Sequence, residues 1–230
     1  MKEQFLISKS QVDNNSPKKL FSDGVGVAAS AFGLPITPEF ELDVYNHLLN
    51  HNVIFAHNEK GEALGFTSYE YLPCEIEIIY PDGFDEVFGE KHLGILYISG
   101  TVVKKDRQQN GVGSTLTRQA FHEVRKLGPV DYIVGRTQNP VVARSRRNYC
   151  QPVYPIDEAP SYEVVDVAMA VHKHLGMKEP MDHKTLVTKN AYENPMYQKR
   201  PMSIDPKIDA FFAKHVGPRD AIFIIGKPNI

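Results

Sequence analysis

Two glycines lie two positions apart in Gln108-Gln-Asn-Gly111-Val-Gly113, between an apolar run and an amphipathic one. The preceding run, residues 93–103, is rich in β-branched and aromatic side chains and predicts a buried strand. After the glycines, Val112, Leu116, Ala120, Val124 and Leu127 recur at helical spacing. Arg125 and Lys126 suit a helix C-terminus, and Gly128-Pro129 is a stop. The first turn of such a helix carries unpaired N–H groups and a partial positive charge. Glycines let an anion approach that backbone closely, so a phosphate or pyrophosphate is the expected guest.

Several nucleotide-binding patterns can be tested on this stretch. The dinucleotide fingerprint needs a third glycine, and Leu116 stands in its place. That fingerprint also opens directly after its strand, whereas seven residues separate Val103 from Gly111. Asp131 lies near the distance of a ribose-binding acid, but it precedes the next apolar run instead of ending it. A phosphate-binding P-loop needs Gly-Lys-Ser/Thr, which the sequence lacks. Serine hydrolase chemistry has no G-x-S-x-G elbow here, and no Cys/His cluster has zinc spacing, so no metal is expected.

The loop resembles the Gln/Arg-x-x-Gly-x-Gly/Ala signature of the GCN5-related N-acetyltransferases (GNAT), with Val103 five residues before Gln108. The resemblance implies an α/β (α+β) fold. Its sheet is mixed, mostly antiparallel and twisted, flanked by helices, with splayed central strands. It implies acetyl-CoA as acyl-donor co-substrate. Its pyrophosphate would be held by backbone N–H groups of Gln108, Gln109, Asn110, Gly111, Val112, Gly113 and Ser114. The exposed backbone of Thr101, Val102 and Val103 would pair with the pantetheine arm like an added strand. Asn139 would lie near that arm. Lys104, Lys105 and Arg107 read as a solvated loop, and Arg144, Arg146 and Arg147 as the solvent-facing side of a helix.

Acyl transfer to an amine needs a base and a donor to the oxyanion. Some family members place a glutamate eleven residues before the signature. Here that position is Tyr97, which leaves Glu70 and His92 as substitute bases. Tyr149 is the expected acid for the leaving thiolate, with Tyr154 as the alternative. A small-molecule or peptide amine is the expected acceptor. The alternative is a non-catalytic CoA-binding sensor or interaction module. A nicotinamide-dependent protein is the third reading.

These residues need elements to position them. Thr37 as N-cap, Pro38 at the first helical position and Glu39 and Glu41 in the first turn predict a helix with Phe40, Val44, Leu48 and Leu49 inward. Asp23 is a candidate cap for an earlier helix over residues 25–32. Strands are expected near 5–8, 53–57 and 63–72, with a hairpin turn at 58–61. An acidic, aromatic insertion spans about 74–92; there, residues 75–79 alternate like an additional strand. A strand at 131–137 and a helix from Asn139-Pro140 to Tyr149 follow. Residues 151–161 read as a proline-rich loop. Helices at 162–175 and 208–216 and strands at 186–189 and 221–225 complete an extended C-terminal part, about 151–230, of a single 1–230 domain. A net charge of −2 and balanced composition give no nucleic-acid surface. The N-terminus lacks a signal-peptide run and no segment is long enough to span a membrane, so a cytoplasmic protein is expected. Monomer and homodimer both stay open.

Overall fold

The computed structural model describes residues 6–10, 18–77, 90–195, 197 and 199–230. The chain packs as two compact units, and two long strands contribute to each. The first unit takes its described residues from Met1–Glu70 and Ile98–Lys126. It contains β1 (Leu6–Ser10), α1 (Lys18–Phe32), α2 (Pro38–Leu49), β2 (Asn52–His57), the start of β3 (Ala63–Glu77), the end of β4 (Glu90–Val103) and α3 (Val112–Val124). Its strand order is β1-β2-β3-β4, with β1/β2 and β2/β3 antiparallel.

Four successive residues of β2, Val53 to Ala56, are buried, so both faces of that strand are covered. Val53 and Phe55 join Val44, Leu48 and Phe66 in one apolar core. Ile54 and Ala56 alternate to the face on which α3 packs. The cap of α2 forms as its residues predict: Thr37 Oγ1 accepts from Phe40 N–H at 3.3 Å, with Pro38 at the first helical position. Asp23 is not a cap, because α1 starts at Lys18 and runs through it. Gly24 is needed there: a Cβ would lie 2.6 Å from Leu48 Cδ1, so its absence lets α1 and α2 approach closely.

The second unit takes its described residues from Tyr71–Tyr97 and Leu127–Ile230. Besides its parts of β3 and β4 it holds β5 (Tyr132–Thr137), α4 (Pro140–Arg146), β6 (Cys150–Tyr154), α5 (Tyr162–His174), β7 (Met181–Asp182), β8 (Val187–Thr188), α6 (Pro206–His215) and β9 (Ala221–Pro228). Strand order is β3-β4-β5-β9-β8-β7, and β6 also pairs with β9. The last strand is the hinge of this sheet. Residues Ile222 to Gly226 run antiparallel to β5, while β8 pairs at Ala221 and Ile222 and β6 at Ile225, Gly226 and Pro228. Val164, Val167, Ala168 and Val171 of α5 pack with Tyr97 and Phe223 in the apolar core of the unit. The fold is thus mixed α/β with a mostly antiparallel sheet flanked by helices, as expected.

Several local expectations are corrected. Residues 151–154, expected as the start of a proline-rich loop, instead belong to β6, recruited by pairing with β9. The helix expected over 139–149 stops at Arg146, and Tyr149 lies in the turn beyond it. Leu127 is 70 % exposed, since α3 ends at Val124 and the apolar stripe ends with it. The strand expected at 186–189 shrinks to two residues. The start of the acidic insertion continues β3 to Glu77. Its acids Asp82, Asp85 and Glu86, like Phe5, lie outside the described residues.

Candidate functional site

The glycine loop leads into a run of backbone donors at the start of α3. Lys104 N–H donates to Leu64 C=O at 2.9 Å and closes the strand pairing. A 3-10 turn over Lys105–Arg107 follows. The Gln108 side chain then folds back, its Nε2 donating to Val103 C=O at 3.1 Å. Gln109 and Gly111 both adopt the left-handed region, at φ 70° and 83°, and turn the chain into α3. For Gly111 this conformation alone demands glycine, since a Cβ would meet nothing within 4 Å.

The first bond into α3 runs from Thr115 N–H to Gly111 C=O at 3.0 Å. Val112, Gly113 and Ser114 therefore enter the helix with free amides. Among the described residues, none of the amides from Gly111 to Ser114 finds an acceptor, while Asn110 N–H closes the turn over Gln108 and Gln109. The first turn of α3 carries no acidic side chain that would occupy its positive end. Gly113 adds a second observation. A Cβ there would lie 3.5 Å from Thr101 Cγ2 and 3.7 Å from Val103 Cγ2, which is ordinary contact. The protein's own packing does not require glycine at this position; the bare backbone leaves a shelf beside Thr101 and Val103. Within this unit residues 98–103 of β4 close the strand order, and in the sheet as a whole β5 follows β4. The free amides and the bare shelf fit a diphosphate.

Behind that edge lies a polar network that inspection of the loop did not reveal. Thr67 Oγ1 donates to Gly100 C=O at 3.0 Å and meets Thr101 Oγ1 at 2.8 Å. Ser68 Oγ lies 3.3 Å from the same carbonyl, and Ser99 Oγ donates to Ser68 Oγ at 2.9 Å. Thr67 and Ser68 are consecutive, so a regular pleat points them to opposite faces, while Ser99 and Thr101 should share one. Their pairings therefore require an irregularity in the β3/β4 pairing at this point. His47 Nε2 meets Ser68 Oγ at 2.6 Å, and His51 Nε2 lies 3.2 Å from Glu70 Oε1. The spacing has a simple cause. Four residues of helix rise about 6 Å and two residues of strand about 6.6 Å. His47 and His51 of α2 thus stand opposite Ser68 and Glu70 of β3. The i, i+4 histidines and the i, i+2 pair were the sequence signals that could have revealed this match.

The electrostatics of the network follow from burial. His47 is pushed down to about 4, first by desolvation and then by His51. It is neutral at pH 7 and keeps a lone pair. Tyr69, next to Ser68 in sequence, is pushed up to about 12 by burial and by Glu123.

The other expected site residues have varied surroundings. Glu70 is held by His51. Tyr97 is 3 % exposed and belongs to the apolar core of the second unit. His92 is exposed and pairs with the equally exposed Glu75 at 3.1 Å. Tyr149 is 4 % exposed, with the Arg146 guanidinium 5.5 Å from its ring centroid. Arg146, expected to face solvent, is itself 1 % exposed. Arg147 is committed to Asp157 and Asp205, both at 2.5 Å. Asn139 caps α4, its Oδ1 accepting from Val141 N–H at 2.9 Å, while Nδ2 reaches the Tyr197 hydroxyl at 3.5 Å. Asp131 does not stand ready for a ribose: its Oδ2 accepts from Gly94 N–H and its own N–H donates to Gly94 C=O, each at 2.8 Å. Among the described residues no group of His, Cys, Asp and Glu could hold a metal ion, and no helix is long and apolar enough to cross a membrane.

No protein-family model matches this sequence, and no curated protein matches it. Solved structures do. The chain is similar to an IAA acetyltransferase from Bacillus cereus at 12 % identity and a TM-score of 0.45, over 97 % of this chain and 99 % of that one. It is similar to the ribosomal-protein-S18-alanine N-acetyltransferase of Escherichia coli at 13 % identity and a TM-score of 0.43, over 98 % and 96 %. An aminoglycoside 6'-acetyltransferase type Ii matches at 17 % identity and a TM-score of 0.43, over 66 % and 87 %. Likeness of this degree carries no argument about substrate or activity; the site must supply it.

Proposed function

We propose that this chain is an acetyl-CoA-dependent N-acyltransferase of GNAT type, moving an acetyl group directly to the amine of a small molecule or peptide. One observation carries the reading: the free amides from Gly111 to Ser114 open α3 beside the end of β4, with Gly113 next to Thr101 and Val103. The amides and the positive end of α3 favour a diphosphate. The resemblance lays the amide-bearing arm alongside the end of β4. Acetyl-CoA supplies the acyl group as a thioester. The residues of this chain orient that thioester, offer a backbone N–H near Thr101 to its carbonyl oxygen, and take a proton from the amine. Direct transfer is favoured over an acyl-cysteine. Cys150 is buried and its thiol is pushed up to about 11 by desolvation, and Cys74 is also raised. Tyr149 remains the proposed acid on the resemblance alone. A cytoplasmic location is part of the same proposal.

The test is calorimetry and thermal melting with acetyl-CoA, with NAD as control, followed by thiol release in the presence of primary amines. Ligand at a hundredfold excess over Kd adds about 2.7 kcal/mol, a rise of roughly 5–10 °C for a chain of this size. Stabilisation by NAD and not by acetyl-CoA refutes the proposal. A second reading, a non-catalytic CoA-binding sensor or interaction module, is favoured by the engagement of Glu70 with His51 and the burial of Tyr97. Binding without thiol release for any amine selects it.

A further inference from the structure

We propose that Ser99, Ser68 and His47 form a proton relay leading out of the acyl-transfer site, with the Nε2 lone pair of His47 as its end. The relay rests on the acetyltransferase reading above. Its geometry is a chain of donors in one direction. Ser99 Oγ donates to Ser68 Oγ at 2.9 Å, which leaves the single proton of Ser68 to find an acceptor. Two acceptors are in reach: Gly100 C=O at 3.3 Å and His47 Nε2 at 2.6 Å. The relay takes His47 as the Nδ1–H tautomer, in which Ser68 donates to Nε2; in the other tautomer Nε2–H donates to Ser68 and Ser68 donates to Gly100 C=O. Each hydroxyl then passes its proton on toward α2.

Two features place the entrance. Ser99 is half-buried on β4, two residues before Thr101, where the thioester carbonyl is proposed to lie. Gly100 stands between them. A Cβ on Gly100 would lie 3.3 Å from Ser68 Oγ and 3.4 Å from His47 Nε2, tighter than ordinary contact, so glycine keeps the junction clear. The far end is set by its surroundings. His51 on the same helix has its ring centroid 4.6 Å from that of His47. From β3, Ser68 is uncharged and Glu70 is held by His51 at 3.2 Å. Burial and His51 together keep His47 unprotonated through the neutral range. A base held so low returns a proton to water readily, so it conducts and does not store.

The step balances as follows. The amine nitrogen forms a bond to the thioester carbon, and its N–H bond breaks. That proton goes to Ser99, the proton of Ser99 goes to Ser68, and the proton of Ser68 goes to His47 Nε2. The carbon–sulfur bond breaks with its electron pair on sulfur. The thiolate takes its proton from the acid proposed above, which water reprotonates, and the imidazolium returns one proton to water.

His47→Gln tests this, because glutamine can accept from Ser68 but cannot carry the proton. Acetyl-CoA affinity by calorimetry should stay within twofold of wild type. Thiol release with a panel of primary amines should fall about 100-fold in kcat, with KM for acetyl-CoA unchanged. The acid limb of the wild-type kcat/KM profile should disappear. Ser99→Ala, at a half-buried position, should fall similarly, with its folding checked by thermal melting. His51→Gln should move the acid limb to higher pH, an effect that loss of packing does not produce. His47→Gln and Ser99→Ala with wild-type kcat and pH profile overturn the relay. Acetyl-CoA binding with no thiol release for any amine overturns the relay but leaves the cofactor site standing. No binding of acetyl-CoA by the wild type overturns both.

Discussion

Gly113→Ala separates what the start of α3 does for folding from what it is proposed to do for binding. The added methyl lies 3.5 Å from Thr101 Cγ2 and 3.7 Å from Val103 Cγ2, so it clashes with nothing. Alanine is favoured over glycine inside a helix by about 0.5–1 kcal/mol. Gly113 is the second residue of α3, so the lower half of that range applies. At about 2–4 °C per kcal/mol for a chain of this size, the melting temperature should rise by roughly 1–2 °C. The same methyl covers the shelf where the diphosphate is proposed to sit. Acetyl-CoA affinity should drop at least tenfold, about 1.4 kcal/mol. Thermal melts without ligand read the first quantity and calorimetry with acetyl-CoA the second. The two should move in opposite directions. An unchanged Kd together with a higher melting temperature means that no anion meets this backbone. A melting temperature lowered by several degrees means that the packing estimate is wrong.

Gly111→Ala should behave differently, because its φ of 83° costs an L-residue about 1–2 kcal/mol. The urea midpoint should fall, and Gly111→Asn should lose less than alanine does. Asp220 accepts from Gly217 N–H at 2.7 Å and Asn190 N–H at 3.0 Å and meets Lys189 at 2.7 Å. Burial raises its carboxyl, but Lys189 and the two amides outweigh that and hold it below the usual range. A depressed carboxyl stabilises the fold above its unfolded pKa and stops doing so as pH falls through the folded value. Asp220→Asn should therefore cost about 3 kcal/mol at pH 7 and little in strong acid, read from urea midpoints across pH. Iodoacetamide at pH 7 should label Cys74 before the buried Cys150. Intact mass after incubation with acetyl-CoA should show no acetylated cysteine; an adduct there would refute direct transfer.

The strand-loop-helix unit was legible because its causes are local. The apolar run, the two glycines and the helical stripe fall within one continuous stretch, and amides at a helix start are free whatever else the chain does. The helix over Pro38–Leu49 was legible for the same reason, with its cap and proline adjacent in sequence. Residues 151–154 were not: their prolines read as loop, and only pairing with β9 makes them a strand. Arg146 read as solvent-facing on charge alone, yet the turn after α4 buries it beside Tyr149.

The sequence by itself determined the strand-loop-helix unit with free amides at residues 111–114, because these need nothing beyond a strand end, a left-handed glycine and a helix start. Tertiary structure decided which side chains surround the neighbouring strand. His47 meets Ser68 across 21 positions and Ser68 meets Ser99 across 31, and no local rule reports such a meeting. It comes from α2 lying along β3, where the rise of four helical residues and that of two strand residues nearly coincide.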